Sequence, residues 1–195
     1  MTLQIAQDVA ADEVLSTNAF ALLCGMLLDQ QFPMERAFAG PAKILDRFGT
    51  LDPATIADAS PEEFAEVCAT PPAVHRFPGA MAARVQALAQ HIVDHYDGKT
   101  AALWSEVPDG RALLERVTAL PGFGKQKSQI FVALLGKQLD VRPDGWQQAA
   151  GLYAEDGAYR SVADVRGPES LAKVRSFKKE QKAAAKSAGE ARTSG

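Results

Sequence analysis

Cysteine is almost missing from this 195-residue chain: Cys24 and Cys68 are the only two. Two thiols cannot supply the four thiolates of an iron–sulfur cluster. Both sit in apolar, helix-patterned stretches that suit buried free thiols. Aromatic residues are scarce at 7%, while alanine is abundant, a balance that suits packed helices better than a β-sandwich. Long apolar runs are missing too. The longest, such as Ala19–Leu28, fall short of the roughly 20 residues needed to cross a bilayer. No basic segment followed by an apolar one opens the chain at Met1, so no secretion signal is expected and a cytoplasmic location is the default. An excess of positive charge is absent as well. The net charge of −3 argues, taken whole, against a nucleic-acid partner.

The distribution of that charge changes the argument. Residues 171–195 carry Lys173, Arg175, Lys178, Lys179, Lys182, Lys186 and Arg192 against Glu180 and Glu190, a net of +5, which leaves −8 for the remainder. An acidic body thus carries a basic tail. The tail reads equally as a phosphate-contacting element or as a solubilising terminus. The length fits one domain, or two small lobes sharing a core, and the expected organisation is such a unit over residues 1–170 followed by a Lys/Ala-rich helix and frayed tail over 171–195.

What is present is a succession of helix signals. Asn18 precedes AFALLCGMLLDQQ, apolar on all sides and therefore the expected central helix. Met34–Gly49 reads as one amphipathic helix. Asp52-Pro53 and Ser60-Pro61-Glu62-Glu63 are helix starts, the second a capping box closed by Glu63. Further helices are expected over Ala80–Tyr96, Gly110–Ala119, Lys125–Leu135 and Trp146–Tyr153, and the class is all-α. The opening MTLQIAQDVAADEVL is ambiguous between strand and helix.

Residues 120–144 read LPGFGKQKSQIFVALLGKQLDVRPD. A Gly-x-Gly turn opens an apolar helix, and an Asp follows in a Pro-flanked loop about a helix length later. Such a turn lets backbone N–H groups approach a phosphate, and a helix N-terminus favours the anion. The stretch from about 110 to 135 therefore reads as a helix–hairpin–helix that grips DNA without reading its sequence. A plain glycine link between two helices explains the turn equally well.

On these residues the chain resembles the HhH-GPD superfamily of base-excision DNA glycosylases, whose members include endonuclease III and the adenine-mismatch and alkyladenine glycosylases. The resemblance extends back through FALLCGMLLDQQ and HRFPGAMAARVQALAQHI, covering roughly Asn18–Trp146. It implies a two-lobed all-α fold with double-stranded DNA in the cleft, no membrane, and a monomer. Asp144 falls on the family's catalytic aspartate. Cleaving an N-glycosidic bond builds positive charge on the sugar, and a fixed carboxylate stabilises that state and orients or deprotonates a water. As a bare pattern, Pro-Asp-Gly equally suits a helix cap or turn. Gln126 stands where bifunctional members carry a Schiff-base lysine, and Lys125 and Lys127 are each rotated from it by about 100°. The resemblance therefore implies a monofunctional hydrolase, with Gly122, Phe123, Gly124, Lys125, Gln126 and Lys127 along the DNA.

Gln31 matches the family's glutamine that approaches the gap left by a flipped base, and Gln30 takes a position that is usually small; a helix C-terminal cap is the alternative for Gln31. Phe77 lies near the family's wedge residue, where an aromatic fills the stack around an extruded nucleotide. It equally suits a core anchor for its Pro-rich loop. The backbone carbonyls of Thr118, Leu120 and Phe123 resemble the hairpin's ligands for K⁺ or Na⁺. No cofactor is otherwise expected, and the C-terminal Cys cluster of endonuclease III is absent. The target base is not identifiable. A protein that binds damaged or distorted DNA without cutting it is the second reading. His91 and His95, four apart, are expected to be solvated rather than metal ligands.

Overall fold

The computed structural model describes the backbone of residues 2–193 and the side chains of residues 2–185. The side chains of Lys186, Glu190 and Arg192 lie outside the described residues. The helices are α1 (Val9–Thr17), α2 (Ala19–Leu28), α3 (Met34–Phe38), α4 (Gly40–Phe48), α5 (Pro53–Asp58), α6 (Pro61–Ala69), α7 (Pro78–Tyr96), α8 (Gly110–Thr118), α9 (Lys125–Gln138), α10 (Trp146–Ala150) and α11 (Pro168–Thr193). Short 3-10 turns cover Thr100–Leu103, Gly151–Ala154 and Val162–Asp164. Among the described residues no strand forms, and one isolated bridge joins Gln4 to Arg166. No single described helix is long and apolar enough to cross a membrane. The protein is all-α.

Local chemistry sets most helix starts. Asp8, Asn18, Asp52, Ser60 and Asp109 each accept a hydrogen bond from the backbone N–H three residues on, satisfying a donor that the first turn leaves open. The box at Ser60 closes differently from expectation: Ser60 Oγ meets the carboxylate of Glu62, not Glu63. The segment expected as one helix over 34–49 is two. Pro41 has no N–H to give to the carbonyl of Ala37, so the chain breaks at Ala39 and restarts at Gly40. The helix expected over Trp146–Tyr153 ends at Ala150, where Gly151 takes φ 59 and the chain tightens into the 3-10 turn.

Every residue of α2 from Phe20 to Leu28 is buried, so this helix is the axle of the fold. Helices α3, α4 and α7 pack on it, α5 and α6 cover α7, and α8–α10 form the second lobe around α9. A single hydrophobic core runs through both lobes. It includes Leu171 and Val174, so the first turns of α11 belong to the body.

Candidate nucleic-acid interface

Helix α8 ends at Thr118, and Leu120–Gly124 turns the chain into α9. Phe123 is buried, edge-on to Phe131 with ring centroids 6.1 Å apart, and its N–H donates to the Leu120 carbonyl at 3.1 Å. The side chain thus anchors the turn and leaves only the Phe123 backbone to face outward. Gly122 has φ +81, and a Cβ there would lie 2.6 Å from Leu27 Cδ1, so only glycine fits. Gly124 begins α9 with no side-chain cap, and the amides of Gly124–Lys127 find no acceptor among the described residues. Gly122, Gly124 and Lys125 are exposed. A helix of 14 residues therefore presents an open, partially positive end to solvent. The Leu120 carbonyl accepts the Phe123 N–H and keeps a second lone pair, while the carbonyls of Thr118 and Phe123 accept nothing among the described residues. Neutral oxygens of this kind suit a monovalent cation.

The C-terminus of α2 meets this turn. Lys127 does not lie outward beside Lys125; its Nζ donates to the Leu27 carbonyl at 3.0 Å and caps the end of α2. Burial pushes the Lys127 amine down to about 8, opposed by the nearby Asp29 carboxylate and reinforced by Arg84. Asp29 is only 12% exposed, with Lys178 Nζ 3.8 Å away. Burial raises its carboxyl, and Lys178 and Lys127 counteract that.

Gln30 and Gln31 follow and divide their work. The Gln30 side chain donates to the Leu27 carbonyl at 2.7 Å and accepts from Arg84 at 2.8 Å, so it braces α2 against α7. Gln31 is exposed and takes φ +51, an uncommon conformation for a side-chain-bearing residue. It does not cap α2; Asp29 occupies that position.

His75 joins this turn to the Phe77 loop. Its ring is 2% exposed. Nε2 donates to the Gln30 carbonyl at 2.9 Å, and Nδ1 accepts the Phe77 N–H at 3.1 Å, an arrangement that requires the Nε2–H tautomer. The ring packs between Phe32 and Phe77, at 4.7 and 6.0 Å. Phe77 is 45% exposed, with the Arg76 guanidinium 4.6 Å above its ring. Gln31, Phe77, Gly122, Gly124 and Lys125 are thus gathered on one edge around the end of α2.

Asp144 lies at the other end of α8 from the turn. Its carbonyl accepts the Gly110 N–H at 2.7 Å, which fixes it at the start of α8. The nine residues of α8 separate it from the hairpin by about 13 Å. Gly110 has no room for a Cβ, which would fall 2.5 Å from the Trp146 backbone, and the Trp146 ring packs on Gly136. The Asp144 carboxylate is exposed and does not cap α10, whose N-cap is Gly145. Gln126 Nε2 donates to Tyr153 Oη at 2.8 Å, so the side chain at the family's lysine position is tied to a buried tyrosine. Among the described residues no group of three metal-ligating side chains forms, and His91 and His95 stack on each other at 4.1 Å.

Sequence reasoning missed Asp29, His75, Arg84 and Tyr153. Asp29 carried a signal, an acid closing the apolar run Ala19–Leu28. The others act across distances that spacing cannot show.

The model of the HhH-GPD superfamily base excision DNA repair protein matches residues 24–189. The chain belongs to this superfamily. No curated protein and no solved structure matches the chain. Membership of the HhH-GPD superfamily makes DNA the partner and base-excision repair the process. The matched span takes in the hairpin, Asp144 and most of α11.

Proposed function

We propose that the protein is a monofunctional DNA glycosylase, which hydrolyses the bond between a damaged or mispaired base and its sugar in double-stranded DNA. The observation that carries this reading is the uncapped end of α9 at an exposed glycine turn, on the same edge as Gln31 and Phe77. The amides of that turn bind one backbone phosphate, and the carbonyls of Thr118, Leu120 and Phe123 would hold a K⁺ or Na⁺ beneath it. Phe77, half exposed and steadied by His75, enters the stack where the target nucleotide leaves, and Gln31 approaches the gap.

The Asp144 carboxylate stabilises positive charge on the sugar as the base departs and directs a water to it. Its distance from the hairpin sets how far from the gripped phosphate the reacting sugar lies. Hydrolysis is favoured over strand cleavage because Gln126 is no nucleophile and Lys127 is turned onto the Leu27 carbonyl. The protein acts as a monomer, in the cytoplasm, on the nucleoid.

A binder of damaged DNA that cuts no bond is the second reading, favoured by the exposure of Asp144 and its place at the far end of α8 from the hairpin turn. Duplexes carrying single lesions, treated with alkali after incubation, separate the two. Base release is expected on at least one lesion. Asp144→Asn should slow it by about 100-fold or more, the scale of losing one transition-state stabiliser, with duplex affinity kept. Equal release by parent and variant would remove Asp144 from the mechanism. Binding to a lesion without release from any duplex would favour the second reading.

A further inference from the structure

We propose that the exposed half of α11 is a second DNA-backbone contact, a basic arm running past the Gln31 edge to phosphates beyond the hairpin's own. The inference rests on the reading that the hairpin edge faces DNA. Leu171 and Val174 hold the first turns of α11 in the core. Arg175 then pairs with Glu35, and Lys178 reaches Asp29 at 3.8 Å. Asp29 directly precedes Gln30 and Gln31, so α11 leaves the body beside that turn. From Lys178 to Ala185 every residue is exposed, and the helix runs on to Thr193.

The direction of the arm follows from helical periodicity. At about 100° per residue, Arg175, Lys178, Lys179 and Lys182 share one stripe about 100° wide, while Glu180 falls off it. The first two members of the stripe meet acids of the body at the Gln31 edge. Lys182 lies on the same line one turn farther out, and neither it nor Lys179 has an acidic partner among the described residues. The charge balance supplies the reason for such a device. A body of net −8 repels a polyanion, and at the edge Lys127 is committed inward to the Leu27 carbonyl while Arg84 is held by Gln30. Lys179 and Lys182, without acidic partners among the described residues, offset that repulsion where the duplex would pass.

The test uses the full chain. Lys179→Gln/Lys182→Gln and the parent are titrated with an undamaged duplex by fluorescence anisotropy over a series of KCl concentrations. Each phosphate contact adds about 0.9 to the slope of log K against log salt. The double variant is therefore expected to have a slope shallower by about 1 to 2 and a several-fold weaker affinity at low salt, with the melting temperature unchanged. An unchanged slope overturns the arm. A Gly122→Ala/Gly124→Ala variant, confirmed folded by circular dichroism, separates the two levels of inference. If it loses affinity while the arm variant does not, only the arm fails. If it binds like the parent, the hairpin reading beneath the arm fails.

Discussion

Lys127 places a cationic side chain in the seam between α2 and α9, where burial and its bond to the Leu27 carbonyl compete for it. Folding lowers its pKa from 10.5 to about 8, so between those values the unfolded chain binds the proton more strongly and stability rises with pH. Cys68 works in the opposite sense. Burial pushes its thiol from 9.0 up to about 11, so above pH 9 the unfolded chain ionises first and stability falls. Cys24, raised by burial as well, adds to that fall, and both thiols start to ionise in the unfolded chain below pH 9. The Lys127 contribution is therefore read as the parent's change in urea-unfolding stability from pH 8 to 9 minus that of Lys127→Met, and is expected to be a gain of about 1 kcal/mol, given 1.36 kcal/mol per fully linked proton per pH unit. A difference near zero would mean that Lys127 stays protonated in the fold.

At the scale of elements, the proposed function makes the α8–turn–α9 hairpin separate grip from chemistry. One end carries the open amides of α9, and the other carries the Asp144 loop, locked by the Gly110 N–H and by Trp146 lying against Gly110 and Gly136. Gly110→Ala would drive a Cβ into the Trp146 backbone at 2.5 Å, where neither backbone can yield cheaply. The variant is expected to lose about 1–3 kcal/mol of stability. On the proposed mechanism its base release falls at least tenfold while duplex affinity changes little, because the hairpin is a helix length away. Equal loss of affinity and release would show that the two ends are not independent. The glycine turn and the helix starts at Asn18, Asp52 and Ser60 were legible in the sequence, because each is decided within a few residues of chain. The break at Pro41 was legible in principle and was overrun by the amphipathic pattern around it.

For the whole molecule, the question is how residues 155–166 and the base of α11 are held to the hairpin helix. Lys137 and Asp164 form a buried ion pair at 2.6 Å, 5% and 7% exposed. Lys137 also donates to the Glu155 carbonyl, and Asp164 accepts the N–H groups of Arg160 and Ser161. The amide of Gln138 reaches the carbonyls of Val162, Ala163 and Val165. Lys137→Met leaves the Asp164 carboxylate buried without its cation, which costs about 3–5 kcal/mol. Adding Asp164→Asn should recover part of that loss, since the stranded charge is gone. Denaturant midpoints of the two variants check this; a single variant as stable as the parent would mean that the pair contributes nothing net. Because α11 starts from this network, the network also aims the basic stripe at the Gln31 edge.

Composition and local pattern by themselves determined the helical class, the glycine turn and the family's motif, since helix caps, apolar periodicity and left-handed turns are settled by neighbouring residues. The resemblance set Lys125 and Lys127 together along the DNA and Gln31 at the gap of a flipped base with Gln30 beside it, and only the tertiary structure showed which of these side chains are taken up by the body. Gln30 is taken up by Arg84, 54 positions away, and Lys127 by Leu27, 100 positions away, while Gln31 and Lys125 stay exposed. Which polar side chain faces outward depends on which buried carbonyl or guanidinium needs a partner. That demand arises only when distant segments meet.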